Sequence, residues 1–167
     1  PGLSLPGRIA PAVGQESVWD YPRPPRLEAT SRRIRVVLAG HLLADSRRAL
    51  RLLETSHPPT YYLEPADVDV AALRAGHGGS VCEWKGQARF LDAALGSRTV
   101  HDVAWVYERP SAPYQALAGR VAFYASRVDE AWVDDERATA QPGDFYGGWI
   151  TRDVVGPFKG APGTLGW

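Results

Sequence analysis

Seventeen glycines and 14 prolines punctuate the 167 residues, and few stretches run far without one of them. Proline removes a main-chain donor and blocks a helix interior, while glycine raises the entropic cost of any regular element. A chain broken up in this way favours short strands joined by tight turns over long helices. The fold class expected is therefore mainly β: one compact antiparallel domain with one or two short helices.

The local patterns agree. Arg33 to Ala39 is a β-branched run ended by Gly40, and His41 to Ser46 can return as its hairpin partner. Arg47 to Glu54 reads as a strand, because His57-Pro58-Pro59 stops any helix. Tyr61 to Leu63 is a further short strand, and Pro65 to Leu73 a brief helix before a Gly76–Gly79 loop. Ser80 to Leu95 forms two strand segments broken around Gly86, and Thr99 to Tyr107 is a strong strand. Ser111 to Gly119 carries the clearest helix signals, with Ser111 as cap, Pro113 in the first turn and Gly119 as stop. Val121 to Tyr124 and Ala131 to Asp134 return to strand.

Three regions follow: a proline-dense arm over 1–31, a core over 32–137, and a glycine- and aromatic-rich extension over 138–167. Trp19 and Tyr21 are too costly to leave in water, so the arm is expected to lie across the domain. The chain holds no methionine, which suggests a processed or trimmed start.

A signature recurs. Trp19-Asp-Tyr21-Pro-Arg23-Pro24 is echoed by Trp105-Val-Tyr107-Glu-Arg109-Pro110, and each copy precedes a strand-like run, Arg33 to Val37 and Arg120 to Tyr124. Trp84-Lys85-Gly86 is matched by Phe158-Lys159-Gly160, as in a duplication whose second copy is shortened. Trp, Tyr, Arg and Lys recurring together are the side chains that build a pocket for a flat molecule or an anion.

Charge narrows the function. Nineteen basic and 19 acidic side chains cancel, whereas a general nucleic-acid binder carries a basic excess. Cys82 is the sole cysteine, so the chain can form neither an internal disulfide nor a multi-cysteine zinc site. No apolar run approaches membrane-spanning length, and a reduced, soluble, cytoplasmic protein is expected. The histidines show no metal-ligand spacing, and Asp67-Val-Asp69 lacks the Gly-Ser step that nucleotidyltransferases place upstream. No metal or cofactor is called for.

Three groups of residues can carry chemistry. Glu54 lies three residues before His57, where it can orient the imidazole and raise its basicity, and the two prolines that follow stiffen that turn. Cys82 lies near Lys85, which can lower a thiol's pKa, and Lys85 itself can reach a carboxylate or phosphate. Trp84, Trp105, Tyr107, Phe123, Tyr124, Trp132, Tyr146 and Trp149 form an aromatic set that suits either a core or a ligand cage. Trp105 and Tyr107 share a strand face at the two-residue period. Adjacent Lys and Arg favour the cage, since cores rarely accept them.

Glu54-Thr-Ser-His57-Pro-Pro-Thr-Tyr-Tyr62, Cys82-Glu-Trp-Lys-Gly-Gln-Ala88, Ala104-Trp-Val-Tyr107 and Val121-Ala-Phe-Tyr124 together resemble the bacterial domain of unknown function 427 over roughly Arg33 to Asp129. The flanks, Glu16 to Pro25 and Phe145 to Gly160, resemble its actinobacterial branch. The resemblance implies a β-tent-like fold, related to methionine sulfoxide reductase B and the drug-binding domain of cereblon, in which aromatic pockets are frequent. Many β-tent members hold zinc through paired Cys-x-x-Cys motifs, from which the single Cys82 departs. The family's nucleotidyltransferase label implies one alternative activity.

Taken together, the expected function is metal-independent binding of a planar or anionic metabolite, with acid–base chemistry as a further step. Tyr62, Trp84, Trp105, Tyr107 and Tyr124 are the expected walls, Lys85 and Arg120 the cations, and Trp149 and Lys159 the mouth. His57, oriented by Glu54, is the expected proton carrier and Cys82 a candidate nucleophile. The expected partner is a small molecule and not nucleic acid or membrane, and the oligomeric state is open, a homodimer included. A non-catalytic protein-interaction module that uses the arm and tail is the second alternative.

Overall fold

A computed structural model describes residues 7–167 of the chain; the first six residues of the proline-dense arm lie outside the described residues. Strand makes up 43% and helix 11%, the latter all in 3-10 turns, in line with the mainly-β reading.

Three antiparallel sheets carry the architecture. The long sheet sets Val121–Phe123, Arg98–Val106, Gly86–Leu95 and Leu73–Cys82 side by side. A second sheet orders Glu136–Arg137, Glu130–Val133, Ile34–Leu38 and His41–Ser46. The third joins Arg26–Ala29, Leu50–Leu53 and Thr60–Tyr62. Reciprocal main-chain hydrogen bonds of 2.8 and 2.9 Å between Leu63 and Val121 stitch the third sheet to the edge of the long one. Between Ile34–Leu38 and His41–Ser46 the chain reverses through Ala39 and Gly40, both at positive φ, as a two-residue primed turn requires.

Period-two alternation then decides which side chains meet. Tyr61 and Leu63, Ala104 and Val106, and Val121 and Phe123 enter the main core with Ile34, Val36 and Val133. The residues between them, Tyr62, Trp105 and Ala122, fall with Tyr107 and Tyr124 in a separate cluster on the opposite face. That second face supplies the site.

The flanks are woven together. Glu16–Ser17 pairs in parallel with Val154–Val155, and Trp19 donates its indole N–H to the Pro157 carbonyl at 2.8 Å. Val18, Trp19 and Tyr21 pack with Leu53 and Val154 in a third cluster.

Several elements differ from expectation. The Ser111 to Gly119 helix is a six-residue 3-10 segment, Ala112–Leu117, kinked at Tyr114; Ser111 makes no side-chain cap, and its N–H instead donates to the Lys85 carbonyl. The span from Pro65 to Leu73 forms two single 3-10 turns, Pro65–Asp67 and Val70–Ala72, separated by extended Val68. Gly76 to Gly79, expected as a loop, belongs to the Leu73–Cys82 strand as a bulge: Ala75 faces Leu91 while Gly79 faces Arg89. Glycine is needed there because a Cβ on Gly79 would lie 2.2 Å from the Ala88 carbonyl oxygen. The two signature copies also differ in conformation, Trp19 sitting in a 3-10 turn and Trp105 in a strand. Among the described residues no helix is long and apolar enough to cross a membrane.

Candidate functional site

A cavity of about 290 Å³ opens where the third sheet, the loop after Leu73–Cys82 and the segment 141–147 converge. One wall is the alternate face of the strands. Trp105 donates its indole N–H to the Tyr62 hydroxyl at 3.2 Å, and the two rings meet nearly at right angles. Tyr124 lies 4.6 Å from Trp105 between centroids, and Tyr107 lies 6.3 Å from Tyr62. Burial pushes the Tyr107 and Tyr124 hydroxyls above the ordinary tyrosine value, so both remain neutral donors.

The second wall is the three-residue loop closing the Leu73–Cys82/Gly86–Leu95 hairpin, which brings Glu83, Trp84 and Lys85 to the cavity beside Cys82 at the end of the strand. The Lys85 carbonyl accepts from Ser111 N at 2.8 Å, which fixes the loop. Its half-buried ammonium lies 5.6 Å from the Tyr107 ring centroid. Among the described residues no carboxylate lies within 4.0 Å of it and no acceptor binds it. Burial alone would lower its pKa, but Tyr62, Cys82, Glu54 and Tyr114 around it favour the charged form and the net direction is upward. Lys85 is thus an ammonium and not a free amine.

The third side holds Glu54 and His57. Glu54 Oε2 sits 3.4 Å from His57 Nε2 and 3.6 Å from Arg23. Burial pushes the Glu54 carboxyl up, yet His57, Lys85 and Arg23 outweigh it and hold the pKa below the ordinary glutamate value. Buried Gln141 sets the histidine. Its Oε1 accepts from Gly148 N at 3.0 Å, which orients the amide, and its Nε2 faces the Lys159 carbonyl at 2.8 Å and His57 Nδ1 at 3.0 Å. Amide nitrogen only donates, so Nδ1 is the acceptor and the proton sits on Nε2, toward Glu54. Nδ1 is thereby engaged, and Nε2 faces Glu54.

Segment 141–147 covers the remaining side. Tyr146 meets His57 edge-on at 4.8 Å, Tyr124 donates its hydroxyl to the Phe145 carbonyl at 3.3 Å, and Arg127 holds Asp144. Gly147 lies flat against Trp105: a Cβ there would come within 2.2 Å of the indole.

Of the residues singled out in the sequence, Glu54, His57, Tyr62, Cys82, Trp84, Lys85, Trp105, Tyr107 and Tyr124 all line this one cavity. Arg120, Trp149 and Lys159 do not. Arg120 pairs with Glu64 at 2.8 Å and binds the carbonyls of Arg48 and Tyr62. Trp149 is fully buried in the main core, with its indole N–H on the Phe123 carbonyl. Lys159 donates its ammonium to the Trp167 carbonyl at 3.3 Å and lies 5.4 Å from the Tyr146 ring centroid. From the aromatic set, Phe123 is likewise core and Trp132 stacks on Arg35 on the second sheet.

Gln141, Phe145 and Gly147 were not anticipated; the one available signal was the Gly147-Gly148 pair, where backbone approaches a neighbour closely. Among the described residues no three His, Cys, Asp or Glu side chains gather as a metal site would need.

No curated protein matches the chain. Residues 26–134 match the family described as domain of unknown function DUF427, a span that carries the long sheet and every lining residue from Leu52 to Tyr124, and the chain belongs to that family.

Proposed function

We propose that this protein binds a small anionic metabolite in the aromatic-walled cavity, with Lys85 as the anchor for the negative group. The observation that carries this reading is the Lys85 ammonium, partly buried beside Tyr107 and without a partner among the described residues. Its surroundings favour the charged form and leave its donors without an acceptor, and a ligand carboxylate or phosphate would take them.

Any proton transfer in this reading passes through Glu54 and not through His57. The imidazole acceptor is occupied by Gln141, and its N–H faces Glu54, so His57 positions the carboxylate. Glu54, ionised and lining the cavity, is the available base, and the Cys82 thiol lines the same space. The nucleotidyltransferase alternative gains no comparable support, because Asp67 is engaged by Arg48 and Ser46, and Asp69 by His41.

Benzoate, a planar carboxylate, serves as the probe. Titration followed by tryptophan fluorescence is expected to give a saturable change in the native protein, because Trp84 and Trp105 line the cavity. In Lys85→Met the response is expected to weaken by about ten-fold or more, the value of a lost charge-assisted hydrogen bond. Equal responses in both proteins would remove Lys85 as the anchor.

A further inference from the structure

The charges lining the cavity do not suit a simple anion. Among the described residues Lys85 is the single lining cation, while Glu54 and Glu83 are both lining carboxylates, so this wall carries one more negative charge than positive. Arg23 lies behind Glu54 at 3.6 Å but does not line the space. Lys85 and Glu54 do not pair with each other across it. A ligand that brought only negative charge would neutralise Lys85 and face two carboxylates.

The ring faces point the same way. Trp105, Tyr62 and Tyr107 line one hollow with Trp84 and Tyr146, and Tyr62 packs on Trp105 and Tyr107 at edge-to-face and tilted angles; Tyr124 lines it too, with the Arg127 guanidinium 3.9 Å from its ring centroid. Aromatic faces are negative at their centres, and several of them beside a carboxylate form a cage for an ammonium that cannot be satisfied by hydrogen bonds alone. Lys85 already uses the Tyr107 face in this manner.

We infer that the ligand is a zwitterion: a quaternary or methylated ammonium that sits among the aromatic rings toward Glu54, carrying a carboxylate or similar anion that pairs with Lys85. This inference rests on the anion-anchoring reading of Lys85 and adds the positive charge to it. The balance of the cavity with ligand bound is then one residual negative charge at Glu83, which is exposed to solvent.

The test uses three small molecules of nearly one shape, titrated calorimetrically into the full chain. Glycine betaine carries both charges, tert-butylacetate keeps the carboxylate but replaces the trimethylammonium by an uncharged isostere, and choline keeps only the cation. Glycine betaine is expected to bind about ten-fold more tightly than either: over tert-butylacetate by the worth of a desolvated cation–π contact, and over choline by that of a charge-assisted hydrogen bond to Lys85. Glu54→Gln is expected to abolish that advantage while leaving tert-butylacetate binding in place, and Lys85→Met is expected to weaken both carboxylates. Equal binding of tert-butylacetate and glycine betaine overturns the zwitterion and leaves the anion anchor standing. Choline binding as tightly as glycine betaine overturns the zwitterion too, and assigns the cavity to a plain cation. Binding of none of the three up to millimolar concentrations overturns the zwitterion, and the benzoate titration then decides whether the anion anchor stands without it.

Discussion

At the scale of single residues, the site depends on how Glu54 is kept ionised. Its carboxylate is removed from water, which alone favours the neutral acid, and is charged because His57, Lys85 and Arg23 face it. The folded-state pKa therefore lies below the ordinary value of 4.5. A depressed carboxylate pKa contributes stability that is complete above the unfolded value and is lost as pH falls through the folded one. Glu54→Gln is accordingly expected to lower the urea midpoint near neutral pH, and the gap to the native protein should close in acid. Denaturation curves of both proteins at neutral and acid pH check this, and a gap that widens on acidification would contradict it.

At the scale of elements, the covering segment is placed by contact and not by regular structure. Gly147 rests on the Trp105 indole, and Gly148 donates to the Gln141 side chain that orients His57. Gly147→Ala forces a methyl group into the indole, and overpacking of this kind costs about 1–3 kcal/mol. The segment can also swing away to escape the clash, so benzoate binding is expected to weaken at least as much as stability. Urea unfolding and fluorescence titration of the same variant separate the two, and native-like binding would show that the segment is not a wall. This segment was the least legible part of the site. Trp105 and Tyr107 could be read from strand period, Glu54 and His57 from their spacing before two prolines, and Lys85 from its aromatic and glycine neighbours. Each of those signals is local. Gln141 reaches His57 across 84 residues, a pairing no periodicity encodes. The same limit explains Arg120 and Trp149: local pattern marks them as a cation and a large ring, but only the packed sheets decide that one pairs with Glu64 and the other enters the core.

At the scale of the whole molecule, the regions outside the family match are what hold the Glu54–His57 turn. Thr55 N donates to the Pro22 carbonyl, Ser56 N to Val18, and the Thr55 hydroxyl to Tyr21, while Arg23 caps the Thr55 carbonyl. From the other end of the chain Lys159 N donates to the Ser56 carbonyl at 2.9 Å. Both flanks thus clamp one short turn whose side chains enter the cavity, and they are tied to each other through Glu16–Ser17 and Val154–Val155. Trp19 is the largest side chain in that clamp, 8% exposed, packed edge-to-face on Trp167 and bonded to Pro157. Trp19→Ala is expected to cost about 3–5 kcal/mol in urea unfolding, as for other buried aromatic truncations. It is also expected to weaken benzoate binding under conditions where the variant remains folded, because the turn loses its backing although no lining residue has changed. The protein-interaction alternative predicts the opposite pattern, in which loss of the arm leaves the core undisturbed. A Trp19→Ala protein with native stability would favour that alternative, since it would mean that the arm rests on the domain without supporting it.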